Sequence, residues 1–142
     1  LSEMMTGKIY TRGFDIAGHP IIVWNVRLHN SKNREIMDMI NLTTWTMEYI
    51  LHKVMPKDKS KITIIMNRVD FTQDNADIEM CKKLISLFQA NYPERLANTI
   101  VYPSGYVFYG LWTLVKFFLD PVTQKKVHPV LTLAGVQEFV DD

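Results

Sequence analysis

Few side chains in this 142-residue chain combine type and spacing in a way that could do chemistry. Asn67-Arg68-Val69-Asp70 puts an amide, a guanidinium and a carboxylate at the carboxyl end of a strand-like run, where open α/β sheets often seat ligands. It could act as an acid with a basic partner in a crevice, but the simpler expectation is a charged strand end capping the next helix. Asp74, Asp77 and Glu79 imitate a cation site, yet within TQDNADIE they read as the acid-rich first turn of a helix. His19, His29, His52 and His128 have no metal-ligand spacing. A phosphate loop, a GxGxxG turn and a GxSxG elbow are all missing. With no visible nucleophile–base pair, neither an enzyme nor a metal or cofactor is expected.

Two further polar signatures bracket an apolar run. YPERL (Tyr92 to Leu96) precedes it, DPVTQKK (Asp120 to Lys126) follows it, and Ile100 to Leu119 carries a single charge, Lys116. Pro103, Ser104 and Gly105 divide the run into a strand end and a helix start, with Ser104 a candidate N-cap. The remaining helix, Gly105 to Leu119, is short of the ~20 residues a bilayer span requires. It is apolar on nearly every side, and such a helix must be covered all round. Complete coverage is hard to arrange in so small a domain. It is therefore either a central core helix or one whose second face meets acyl chains or a membrane surface. After it, Pro121 to Lys126 reads as a short helix with Asp120 as N-cap, placing Thr123 and Lys126 on one face.

Composition narrows the class. Apolar residues at 47% and charged residues at 22% are those of a globular domain, and a net charge of +1 implies no attraction to nucleic acid. The single cysteine, Cys81, excludes an internal disulfide and fits a reducing, cytoplasmic setting. No signal peptide is visible. The chain starts with Leu and ends in an unfinished amphipathic stretch, which reads as part of a longer polypeptide.

Strand-like runs cover Pro20 to Arg27, Lys61 to Val69, Asn98 to Tyr102 and Pro129 to Leu133. Between them lie helical stripes: Ile36, Ile40, Thr43, Met47, Ile50 and Val54, ending before Pro56; then Ile78, Cys81, Ile85, Phe88 and Tyr92, a stripe in which Cys81 reads as a packed core thiol. The apolar run supplies a third helix and Gly135 to Val140 a short fourth. This alternation predicts an α/β domain with a mostly parallel sheet and helices on its faces, without an internal boundary.

The order of these features resembles the CRAL-TRIO lipid-binding domain, in its phosphatidylinositol-transfer-protein branch. The residues that carry the resemblance are GFDIAGHPIIVW at the start, YPERL, the strand and aromatic-rich helix after it, and FLDPVT-x-K-K at the family's spacing. They span essentially the whole chain, as a lipid-binding lobe without the family's N-terminal helical bundle and C-terminal end. The resemblance implies a carrier that takes one phospholipid, most readily phosphatidylinositol, as cargo rather than cofactor, in transient contact with membranes. It places Glu94, Thr123 and Lys126 around the headgroup, with Arg95 in support. It makes Gly105 to Leu119 a mobile gate whose Tyr106, Phe108, Leu111, Trp112, Val115 and Phe118 would meet the acyl chains. Where choline-lipid binders carry serine this chain has Phe88, and Asn67 replaces a frequent Asp. Other branches carry a single bulky hydrophobe such as a retinoid, tocopherol or squalene-like ligand, or serve as membrane-recruitment domains of larger regulators. Oligomeric state is left open.

Overall fold

A computed structural model describes residues 7–29, 36–69, 77–92, 94–104 and 106–140. It contains the strands β1 (Ile9–Phe14), β2 (Pro20–Asn25), β3 (Ile62–Asn67), β4 (Leu96–Tyr102) and β5 (Val127–Pro129). The helices are α1 (Ile36–Tyr49), α2 (Ile78–Asn91), α3 (Tyr106–Val115), α4 (Pro121–Gln124) and α5 (Leu133–Gln137). A wide turn, Ile50–Val54, extends α1, and a 3-10 turn, Lys116–Phe118, extends α3.

The strands lie in sequence order, β1 antiparallel to β2 and the rest parallel. Each parallel crossover steps to the next strand in the same direction, so the right-handed rule puts every crossover helix on one face of the sheet. Side-chain alternation identifies that face. Ile22 and Ile62 pack with Met47 and Ile50 of α1, and Met80 and Leu84 of α2 pack with Met39. The opposite face buries Ile21, Val23 and Ile100. It is covered by the β1–β2 turn and α5: Ile16 N–H donates to Phe139 O at 2.8 Å, and the Thr63 hydroxyl donates to the Asp15 carboxylate at 2.6 Å. Burial pushes the Asp15 carboxyl up, but the hydrogen bonds from Thr63 and from the backbone and ring of His19 outweigh it and hold it below the ordinary carboxylate range.

Three elements differ from expectation. β1 is an edge strand with a register shift at Gly13, whose φ of +59° suits glycine, and its mixed polar sequence hides it. The last strand falls at Val127–Pro129, not Pro129 to Leu133, and α5 starts correspondingly earlier. The reason is local: the Thr132 side chain accepts from Gly135 N–H and starts the helix, and a Cβ on Gly135 would come within 2.9 Å of the Val130 Cβ. Asp120 caps α4 as expected, accepting from Thr123 N–H at 2.7 Å. Among the described residues no helix is long and apolar enough to cross a membrane.

Candidate functional site

Between the crossover helices and the sheet lies a cavity of about 670 Å³, in the size range of ligand pockets. Ile22, Trp24, Ile64, Met66 and Val101 form its floor on the sheet. The whole α2 stripe of Ile78, Cys81, Ile85, Phe88 and Tyr92 forms a wall. That stripe, read from sequence as core, faces the cavity, and Phe88 and Tyr92 also pack against the Ile22–Met47–Ile50–Ile62 cluster; Met80 and Leu84, which line the cavity as well, anchor the helix against Met39. Cys81 accordingly lines the cavity, and burial followed by the nearby Asp77 pushes its thiol up to about 11, so it is an unreactive wall group.

At one end of the cavity, by the starts of β4 and β5, Glu94, Thr123 and Lys126 line the same space. Glu94 has φ +62°, a left-handed backbone uncommon outside glycine. Lys126 is fixed by its backbone, donating to Thr123 O at 3.0 Å and accepting from Thr99 N–H at 2.8 Å. Asp120 also lines this end; its carboxyl lies below the usual range chiefly through the Thr123 N–H and then the Thr123 hydroxyl. Arg95 is outside the lining: its guanidinium donates to Ser60 O at 2.9 Å and ties β4 to the loop before β3.

The third side is α3 and the residues after it. Trp112 and Val115 line the cavity, joined by Leu119 and Val122, which sequence reasoning did not single out. Phe118 is outside the lining; its ring lies beneath Lys82 Nζ, 4.6 Å from the centroid. The side chains of Tyr106, Phe108 and Leu111 lie outside the described residues, as does Gly105. The outer surface of α3 is apolar too, with Leu114 54% and Phe117 79% exposed. Side-chain amides hold its carboxyl end: Gln89 donates to Phe118 O at 3.3 Å, and Gln124 to Lys116 O at 2.9 Å and Leu119 O at 3.0 Å. The Ser104 hydroxyl turns back to donate to Val101 O at 2.7 Å.

The far end, at the carboxyl ends of β2 and β3, is also polar. His29, buried, bridges Asp77 (2.8 Å) and Lys8 (3.3 Å), while Asp77 caps α2 through Met80 N–H. Arg68 donates to Pro103 O at 3.1 Å and so braces the β4 end; Asp70 and Asp74 lie outside the described residues. Asn67 is paired with Asn25 at 3.0 Å. No signal in the sequence brought His29, Asp77 and Lys8 together, because only the β1–β2 pairing and the α2 cap do so. Among the described residues no group of three His, Cys, Asp or Glu could hold a metal ion.

Residues 4–141 match the family described as CRAL/TRIO domain. The phosphatidylinositol transfer protein CSR1 of Eremothecium gossypii is 30% identical over 141 residues, covering 99% of this chain and 32% of that protein. The CRAL-TRIO domain-containing protein C3H8.02 of Schizosaccharomyces pombe is 29% identical over 139 residues, covering 98% and 31%. The chain thus spans about a third of the length of these curated relatives. The crystal structure of Sfh5 superposes with a TM-score of 0.80 at 19% identity, over 97% of this chain and 51% of that one, a likeness of fold.

Proposed function

The chain belongs to the CRAL/TRIO domain family, and from that premise we propose that it is a non-enzymatic lipid-binding and lipid-transfer module whose cargo is phosphatidylinositol. The observation that carries the reading is the cavity itself, apolar between two polar ends, with Glu94, Thr123 and Lys126 at one of them. Each buried methylene contributes about 0.8 kcal/mol, so acyl chains supply the affinity. The polar end supplies discrimination. Lys126 offsets phosphate charge, Thr123 donates and accepts, and Glu94 accepts from ring hydroxyls. Arg95 supports this end by fixing the start of β4. The names of the phosphatidylinositol transfer proteins among its relatives support the choice of cargo.

In this reading α3 is the gate. Trp112 and Val115, which line the cavity, contact the acyl chains. The exposed Leu114 and Phe117 meet the membrane surface when lipid enters or leaves.

Native mass spectrometry of the full-length protein from cells, paired with transfer between liposomes, tests this. Phosphatidylinositol is expected to co-purify. Lys126→Ala and Glu94→Ala are each expected to weaken its uptake about tenfold at unchanged melting temperature. Normal transfer by both variants would refute the headgroup assignment. Absence of any bound lipid, together with no transfer, would refute the function. A co-purifying single hydrophobe would favour the retinoid- or tocopherol-like alternative.

A further inference from the structure

We propose that the cavity contains a second polar subsite, formed by Trp24 and Thr43, which hydrogen-bonds a neutral oxygen carried on the hydrocarbon part of the cargo. Among the described residues, the buried side-chain polar atoms that find no hydrogen-bond partner are Trp24 Nε1 and Thr43 Oγ1. Both residues line the cavity. They approach it from two sides near Met39: Trp24, on the β2 floor, packs against the Met39–Met80–Leu84 cluster, and Thr43 follows Met39 by about one turn of α1.

The polar groups around them are engaged. The Thr46 hydroxyl donates to Leu42 O at 2.8 Å, His29 pairs with Asp77 at 2.8 Å, and Arg68 donates to Pro103 O at 3.1 Å. Among the described residues, Thr43 and Trp24 are therefore exceptions in a lining whose other buried side-chain polar atoms find partners. Buried groups of this kind are rare because each forfeits its hydration without compensation. An acceptor oxygen on the ligand restores it. The indole N–H is a donor only, and the threonine hydroxyl can donate or accept after rotation about χ1, so one hydroxyl or carbonyl oxygen serves both. The neutral donors and the apolar floor of Ile22, Ile64 and Met66 disfavour a charged oxygen.

Position identifies which part of the cargo this is. Trp24 pairs with Met66, whereas β4 begins opposite Ile62. That offset along β3 is about 13 Å at ~3.3 Å per residue, and β2 and β4 flank β3 on opposite sides. Resting on the proposed function, with the headgroup at Glu94, the subsite lies well beyond ester linkages a few bonds from the phosphate. The oxygen belongs to a chain: a hydroxylated or oxidised acyl group, or the oxygen of a single long hydrophobe.

The test offers the full-length protein liposomes with equal amounts of plain-chain phosphatidylinositol and phosphatidylinositol bearing a mid-chain hydroxyl. The bound lipids are then extracted and their ratio measured. In a second arm, a long-chain alcohol and the alkane of equal length compete for a fluorescent fatty probe. The native chain is expected to favour the hydroxylated lipid and the alcohol about tenfold, each satisfied donor contributing a several-fold factor. Thr43→Val and Trp24→Phe are each expected to bring the ratio toward parity; the ratio is read within one variant, so differences in total uptake cancel. Parity in the native chain in both arms, or a ratio unchanged in Thr43→Val, overturns the subsite. Failure to take up either phosphatidylinositol, with the alcohol still preferred, overturns the proposed cargo and leaves the subsite standing.

Discussion

α2 and α3 are both apolar helices facing the same cavity, but the fold holds them differently. α2 starts on a capped turn, Asp77 accepting from Met80 N–H at 3.0 Å, and buries Met80 and Leu84 against Met39 before offering its next stripe to the cavity. α3 has apolar residues on its cavity side and exposes Leu114 and Phe117 on its outer side. Its carboxyl end is tied by the Gln89 and Gln124 amides. Apolar content alone therefore does not make a helix structural. A helix becomes a structural wall when a second face packs into the core, as α2 does through Met80 and Leu84, whereas α3 leaves its second face to solvent.

The largest effect expected is a contrast in stability. Met80→Ala should cost about 2–5 kcal/mol, as large-to-small changes in closed cores do, whereas Phe117→Ala should stay within about 0.5 kcal/mol. Denaturant melts of both variants measure it; equal losses would mean α3 is as integral as α2. Next is the tie itself. Gln124→Leu removes both hydrogen bonds to the end of α3 and should cost about 1 kcal/mol. Faster hydrogen exchange should follow over 106–119, with 78–91 unchanged. Exchange that rises equally in both helices would dissolve the distinction.

The smallest effect is pH-dependent. The folded Asp120 carboxyl titrates below its ordinary 3.8, first because Thr123 N–H donates to it. A depressed acid contributes its stabilisation above the ordinary value and loses it as pH falls through the folded value. Exchange over 119–126 should therefore rise below about pH 4. Asp120→Asn, which can still cap, should make that rise disappear; a rise of equal size in the variant would assign it to other carboxylates.

Much of this was legible in the residues. The β-branched run at Ile62 to Met66 is the central parallel strand, Pro56 follows the end of the extended α1, and Asp120-Pro121 starts α4 as its types dictate. The YPERL and DPVTQKK signatures, far apart in sequence, meet at one end of the cavity. What could not be read was emptiness. Ile78 and Ile85 have the periodicity of core residues but line the cavity, and a hydrocarbon-lined cavity demands the same residue types as a packed core. The edge strand β1 escaped because its alternation is interrupted by Arg12 and Gly13. The buried Lys8–His29–Asp77 bridge depends on strand pairing that no local pattern reports.

Under the proposed function, the left-handed backbone at Glu94 sets this module's stability against its specificity. Glycine would occupy that conformation at less cost, by up to about 1 kcal/mol. Directed evolution for heat resistance alone would thus tend to replace the carboxylate, and its most robust descendants would carry grease without reading a headgroup. In that reading, an acid at a position that suits glycine trades backbone ease for contact with the headgroup.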